Sequence, residues 1–217
     1  MIKSKLNRQE LEKLIEHFCK DIDATQTALS LSINRKTVNR YYNLFRMVIY
    51  NHQQNEDIKL WGVIEVGRMS VFDGKDKNIK RKFKSAKFNV FGLFERGGRV
   101  CTVIYSTPRN TKLESIVKEK VTKKSLLIIP DHYTYTFWAF LYEKDFEVVY
   151  AKKNSENEVH TDGIKSFWNF YKKRIEKFNG VKGKLHLHIK ESEWRWGKNF
   201  NSLYEQLLSL VEIHLMV

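Results

Sequence analysis

The sequence predicts a two-part α/β fold, in which an all-α helix-turn-helix domain precedes a mixed sheet with flanking helices. In residues 1–50 the apolar side chains recur at the helical period. After the polar segment 52–59, this period gives way to short β-rich segments that alternate with helical ones. We place the two domains at 1–52 and 60–217, with the C-terminal helices in the second.

The N-terminal domain is predicted from side-chain spacing and from one capping residue. A short helix over 24–31, a turn over 32–34 and a longer helix over 35–50 form a helix-turn-helix. Asn34 precedes the longer helix, where its side chain can accept the first free N–H groups. The helix before these is predicted from four apolar residues at i, i+3, i+4 and i+7, namely Leu11, Leu14, Ile15 and Phe18.

The second domain is predicted from five β-rich segments and the helices between them. Three strands come first, and a helix, a strand, a helix, a strand and a helix follow. This is the order of a ribonuclease H-like fold, whose sheet begins with a meander and continues through crossover helices. Gly97 and Gly98 separate the second and third strands, as a hairpin turn would. The strands are predicted at 61–66, 87–95, 99–107, 125–129 and 146–150, and the first two helices at 111–121 and 133–142.

Charge and cysteine content restrict the partner and the location. The chain has 39 Lys and Arg against 25 Asp and Glu, a net charge of +14. Such a surplus indicates a polyanionic partner, most simply nucleic acid; the alternative is a chain that is basic only for solubility. Cys19 and Cys101 provide neither a disulfide framework nor a paired-cysteine metal site. Because the apolar segments are also too short to span a bilayer, we expect a cytoplasmic, nucleoid-associated protein that binds no membrane.

Two basic segments are candidates for binding double-stranded DNA. Side chains on the 35–50 helix can bond to bases or phosphates in the major groove; the alternative is a solvated basic face on a plain helical hairpin. The segment Lys75–Lys87 suits a phosphate backbone, and the alternative is a solvated loop. The candidates are Arg35, Lys36, Thr37, Asn39, Arg40, Tyr41 and Asn43 on the helix, and Lys80, Arg81, Lys82 and Lys84 in the segment.

Three collinear segments resemble a known family. They are VFGLFERGGRV at 90–100, HTDGIKSFW at 160–168 and KFNG at 177–180. Together with the short helix-turn-helix before them, they resemble the bacterial insertion-sequence transposases with an ISXO-type DDE domain, which are relatives of the Merlin elements. A collinear match of this length is more specific than any single short motif.

The resemblance implies a transposase that binds the ends of its element and then cleaves and rejoins DNA. Members hold two Mg²⁺ ions between three acidic side chains, and a homodimer would hold two element ends together. The alternative is a non-catalytic DNA-binding protein derived from a transposase, acting as a repressor or an architectural factor.

The resemblance places two of the three acid positions on predicted strands. In the first strand, Glu65 matches a family glutamate, and Gly67 stands where the first catalytic aspartate belongs. Glu65 and residue 67 share a face of the strand, so Glu65 could reach a metal ion. At the end of the fourth strand, Asp131 matches the second acid, although an aspartate at such a place is often only a helix cap.

The third acid position is occupied by a lysine. Family members carry a glutamate seven residues before a lysine that Lys172 matches, and this register places Lys165 at the glutamate. An ammonium there would repel a divalent cation, or it could pair with Asp131. Asp162 lies one turn earlier on the same face and is a candidate replacement ligand. The resemblance thus implies Glu65, Asp131, Asp162 and Lys172 as catalytic candidates, the first three as metal ligands, in a copy with impaired catalysis.

Two C-terminal patterns have structural alternatives. His186 and His188 alternate with apolar residues, as on a strand, and we expect them to face solvent rather than a metal ion. Residues 194–196 could stack on flipped bases or pack against the C-terminal helices.

Overall fold

The chain folds into two compact units. The computed structural model describes residues 6–57, 59–72, 87–105, 110–130, 145–151, 159–177 and 184–215. One unit combines Met1–Glu56 with Gly197–Val217, and the other is Asp57–Trp196. None of the helices within the described ranges has both the length and the apolar character needed to cross a membrane.

The described helices and strands follow one another in the predicted order. The helices are α1 (Arg8–Cys19), α2 (Ala24–Leu31), α3 (Arg35–Asn55), α4 (Asn110–Lys120), α5 (Asp162–Glu176), α6 (Leu185–Arg195) and α7 (Phe200–Leu215). The strands are β1 (Val63–Phe72), β2 (Lys87–Glu95), β3 (Val100–Tyr105), β4 (Leu126–Pro130) and β5 (Glu147–Ala151).

Helix α7 belongs to the first compact unit. The sequence predicts one domain over 60–217, but α7 packs against α1 and α3 in the first unit. Its buried Leu203, Leu207 and Val211 follow the helical period. That period predicts an apolar face on α7 but does not say which domain the face packs against.

Helices α2 and α3 form as predicted because local groups fix their ends. Asp23 accepts the backbone N–H groups of Thr25 and Gln26 at the start of α2, the former at 2.7 Å. Ser32 ends α2 in the left-handed region at φ 55°. Asn34 Oδ1 then accepts the backbone N–H of Lys36 at 2.8 Å and caps α3.

Aromatic rings hold α1 against α3. The Phe18 ring makes edge contacts with Tyr42 at 5.1 Å and Phe45 at 5.4 Å between centroids. The Tyr42 hydroxyl donates to the carbonyl of Ile22 at 3.1 Å, and its oxygen lies 2.8 Å from the buried hydroxyl of Thr27. Helix α2 is therefore fixed to α3 by a buried pair of hydroxyl groups.

The sheet of the second unit has the strand order β3-β2-β1-β4-β5. β2 pairs antiparallel with β1 and with β3, whereas β4 pairs parallel with β1 and with β5. A meander followed by parallel crossovers is the ribonuclease H-like arrangement, so the predicted fold is confirmed. The predicted helix at 133–142 lies outside the described residues.

Strand β1 divides its side chains between the two faces of the sheet. Ile64 and Val66 join the core that contains Leu113 of α4. Glu65 and residue 67 point to the other face, which α5 covers. The strand period thus puts Glu65 and residue 67, the two β1 positions discussed above, on the face that α5 covers.

Helix α6 corrects the strand-like interpretation of the histidine pair. His188 is buried and His186 is exposed, so the expectation that both face solvent is wrong for His188. Helix α6 packs between α5 and β3 and is buried on most sides, which hides its helical period. Trp194 is buried, and the Trp196 ring makes an edge contact with Phe167 of α5.

The outer edge of β3 is covered by the same helix. The backbone N–H and the hydroxyl of Thr102 donate to Glu193 Oε2 at 2.9 and 2.7 Å. Lys190 Nζ donates to both oxygens of that carboxylate. A backbone N–H on a terminal strand of the sheet is therefore bonded to a side chain.

Candidate functional site

Glu65 is the central acidic residue of the candidate site, and both of its carboxylate oxygens contact protein groups. Its side chain is only 1% exposed. Oε2 accepts the backbone N–H of Ile164 at 3.0 Å, and Oε1 accepts the Nε–H of Arg96 at 3.0 Å. Thr161, the residue before α5, makes no side-chain cap. Glu65 therefore supplies the side-chain cap that Thr161 does not, and it adds negative charge at the start of α5 beside that of Asp162.

Arg96 extends this contact into a three-part clasp of Glu65, Arg96 and His160. A terminal nitrogen of Arg96 donates to the backbone carbonyl of His160 at 2.9 Å. His160 Nδ1 lies 3.9 Å from Glu65 Oε1 and 3.6 Å from Asp162 Oδ2. The clasp joins β1, the turn after β2 and the segment that leads into α5.

Gly67 lies where α5 comes closest to the sheet. It is directly paired with Gly92 of β2. A Cβ atom on Gly67 would lie 2.7 Å from Ile164 Cγ1 and 2.9 Å from Trp168 Nε1. A Cβ atom on Gly92 would lie 2.5 Å from Trp168 Cζ2. The two glycines form a slot that the indole of Trp168 fills.

Lys165 is bonded to the aspartate one turn before it. Its Nζ donates to Asp162 Oδ1 at 3.0 Å, and the two side chains are 65% and 66% exposed. The hydrogen bond from Lys165 holds the pKa of the Asp162 carboxyl below its usual range. An ion pair this exposed stabilises the fold little. Lys172 is exposed on the same helix.

The solvent-facing side of α3 carries four of the seven DNA-binding candidates on that helix. Thr37 and Asn43 are half-buried. Tyr41 is only 4% exposed and packs near Phe45, so we remove it from the candidate surface. Its apolar ring follows the buried helical stripe, which the polar hydroxyl concealed in the sequence. The exposed candidates are Arg35, Lys36, Asn39 and Arg40.

The sequence model of the ISXO2-like transposase domain matches residues 66–197, which is more than half of the chain. The chain belongs to the ISXO2-like transposase family. An uncharacterized transposase-like protein of Haemophilus influenzae is 29% identical over 102 residues, which cover 46% of this chain and 83% of the relative.

Two solved structures of the Mos1 transposase resemble this transposase chain weakly. They are its strand transfer complex and its paired-end complex with the left transposon end. Each has a TM-score of 0.38 and 10% identity, covering 98% of this chain and 77% of the other. Likeness at this level carries no inference, and the fold assignment depends on the strand order and pairing.

The described acid positions of this transposase do not fit a divalent metal ion. Both oxygens of Glu65 are engaged, residue 67 has no side chain, and Lys165 is a cation bonded to Asp162. Within the described ranges, no group of three His, Cys, Asp or Glu side chains could hold a metal ion. Asp131 lies outside the described residues. So do four DNA-binding candidates, Lys80, Arg81, Lys82 and Lys84.

The partners of Glu65 are not among the residues predicted from the sequence. Arg96 and His160 lie within the two longest segments that resemble the transposase family, and their membership in those segments was the available signal. Trp168 packs in the apolar core between α5 and the sheet. Its contact with Gly67 gives no local signal because it joins distant parts of the chain.

A buried polar network fixes the other end of α5. Arg174 donates to Glu191 Oε1 at 2.8 Å and to Ser192 Oγ at 2.7 Å. Arg195 Nε donates to the same oxygen of Glu191 at 3.0 Å. These bonds join α5 to α6, so the transposase helix that carries Lys165 is held at both ends.

Proposed function

We propose that this transposase-family chain binds double-stranded DNA at the ends of an element and does not cut it. The observation that carries the proposal is Lys165, a cation at the third acid position that is bonded to Asp162. At contact distance, an ammonium repels a divalent cation by several kcal/mol even at an effective dielectric of about 20. Gly67 has no carboxylate, so the first acid position provides no metal ligand either.

The DNA-binding half of the proposal is supported by the surface of α3. Arg35, Lys36, Asn39 and Arg40 are exposed on a helix that follows α2 and a short turn. Arginine can bond to guanine and asparagine to adenine in the major groove. The net charge of +14 adds attraction to the phosphate backbone.

A second candidate function is DNA cleavage and strand transfer, which membership of the transposase family favours. It would need Asp131 together with Glu65 or Asp162 as Mg²⁺ ligands, and Lys172 beside them. The homodimer would then hold two element ends. For Glu65, this requires release from Arg96 and from the start of α5.

Cleavage assays separate the two candidates. The full chain is incubated with duplexes that carry the DNA flanking its gene, in Mg²⁺ and in Mn²⁺. We expect binding without nicking or strand transfer. The double variant Gly67→Asp/Lys165→Glu is expected to gain Mn²⁺-dependent nicking, whereas each single variant is not. Nicking by the unaltered chain would establish the second candidate instead.

Binding is tested separately by titrating the same duplexes against duplexes of shuffled sequence. Arg40→Ala should weaken binding about tenfold, because a bidentate base contact is worth about 1–3 kcal/mol. Lys123→Ala, which removes an exposed lysine from the second unit, is the matched control and should leave the affinity unchanged. Equal losses in the two variants would contradict the assignment of the surface to α3.

A further inference from the structure

In the slot between Gly67 and Gly92, the indole ring of Trp168 has a different edge next to each glycine. The Trp168 side chain is buried, with the residue 6% exposed. Its Nε1 lies 2.9 Å from the place of a Cβ on Gly67, whereas its carbons Cζ2 and Cη2 lie 2.5 and 2.7 Å from a Cβ on Gly92. One glycine therefore faces an N–H donor, whereas the three atoms nearest to a Cβ on the other are all carbons.

The indole N–H of Trp168 has no acceptor among the residues that the structure describes. Buried donors in folded proteins are nearly always bonded, because a buried N–H without an acceptor loses its bond to water and gains nothing in return. Residue 67 is a glycine, and a side chain at that position would lie next to the indole nitrogen. An oxygen on that side chain would be the acceptor that the donor lacks.

We infer that Trp168 is a positioning residue, whose indole N–H orients an oxygen acceptor carried by residue 67. The acceptor would be a carboxylate or a hydroxyl, and the glycine of this chain supplies neither. A carboxylate held by this bond would face α5 with a fixed orientation. The inference goes beyond the proposed function, because it concerns the acid position alone and does not depend on DNA binding.

A side chain can enter the slot only if the side chains of Ile164 and Trp168 move slightly. Ile164 Cγ1 would lie 2.7 Å from the new Cβ, which is closer than carbon atoms pack. Every substitution of Gly67 therefore carries a steric cost. Alanine and serine share that cost, and only serine brings an acceptor, so comparing them isolates the hydrogen bond.

The first experiment compares unfolding of four variants of the full chain in denaturant. We expect the folding equilibrium constant of Gly67→Ser to exceed that of Gly67→Ala by about fivefold, as for one net hydrogen bond. Gly92→Ser and Gly92→Ala are the matched controls, and they should be equally destabilised because the ring offers no donor there. Equal values for the two Gly67 variants would overturn the inference.

The second experiment follows the donor itself. The chain has five tryptophans, so the indole N–H resonance of Trp168 is assigned by its loss in Trp168→Phe. In Gly67→Asp this resonance should move downfield and follow the titration of the carboxyl. In Gly67→Asn it should move without titrating, and in Gly67→Ala it should stay in place. A resonance that is the same in the Asp and Ala variants would refute the role of Trp168.

Failure to fold does not remove the test. If the Gly67 variants do not fold, the series is repeated with Ile164→Ala, which removes the atom closest to the new Cβ. A serine that still gives no advantage over alanine in that background would count against the inference.

Discussion

Glu65 is a charged residue at a position that water scarcely reaches. Its carboxylate is bonded to the Arg96 guanidinium and to the backbone N–H of Ile164, close to the positive end of α5. A buried charge is tolerated only when it is paired and hydrogen-bonded in this way. Glu65 therefore has a structural role that does not require a metal ion.

Replacing Glu65 by glutamine should lower the free energy of unfolding by about 2 kcal/mol, because two bonds to a charged group become weaker neutral bonds. Denaturant unfolding measures the change. Glu119→Gln is the control, since the Glu119 carboxylate is 64% exposed and its pair with Lys120 lies at the surface. The control should lose less than about 0.5 kcal/mol. Similar losses in both variants would mean that the clasp does not stabilise the unit.

Cys101 gives the protein a dependence on alkaline pH. Burial raises the pKa of its thiol from 9.0 to about 11. The unfolded chain therefore releases this proton at lower pH than the folded chain, and stability is lost as the pH rises from about 9 to about 11. Below pH 9 the thiol contributes no pH dependence. Cys101→Ala should flatten the plot of unfolding free energy against pH in this range. An equal loss of stability in the variant and the unaltered chain would contradict the role of Cys101.

Helix α5 is the element on which the site depends, and it is held in three places. Glu65 binds its first turn, Trp168 fills the glycine slot at its middle, and Arg174 bonds to α6 near its end. Its exposed side carries Lys165 and Lys172. The position of residue 165 is therefore set by contacts on the buried side of the helix.

Two asparagines separate the stability of α3 from its proposed binding role. Asn34→Ala removes the cap and should lower the free energy of unfolding by about 1 kcal/mol. Asn39→Ala leaves the cap intact and should instead weaken binding to the flanking duplex. Thermal unfolding and DNA titration measure the two effects. Loss of stability in Asn39→Ala without loss of binding would contradict the proposed surface.

The elements that sequence could predict are those whose signals are local. Asn34 lies next to the helix that it caps, and Ile64 and Val66 show the strand period of β1 within a few residues. The roles of Glu65 and Gly67 could not be predicted in this way. Each depends on Ile164 or Trp168, which approach only after α5 has packed on the sheet, and a glycine has no side chain to signal its neighbour.

At the scale of the whole molecule, charge is the dominant property. A chain with a net charge of +14 attracts DNA at long range, and salt weakens that attraction. This attraction acts on phosphate charge and not on base identity, so it supplies affinity without sequence preference. The proposed preference for particular ends would instead come from base contacts made by α3.

Salt titration distinguishes these contributions. Binding constants for the flanking duplex should fall steeply as salt increases, and Lys36→Gln/Arg40→Gln should reduce the slope of log K against log salt by about 2. Lys118→Gln/Lys123→Gln removes the same charge from the second unit and is the control. Its slope should stay close to that of the unaltered chain. Equal reductions would indicate that the basic surface is diffuse.

The covered edge of β3 limits how two copies can associate. The backbone N–H of Thr102 is already bonded to Glu193, and Lys190 holds that carboxylate in place. A strand from a neighbouring molecule would have to displace both side chains before it could extend the sheet there. Self-association through β3 is therefore disfavoured, and the dimer that strand transfer would require would have to form through another surface.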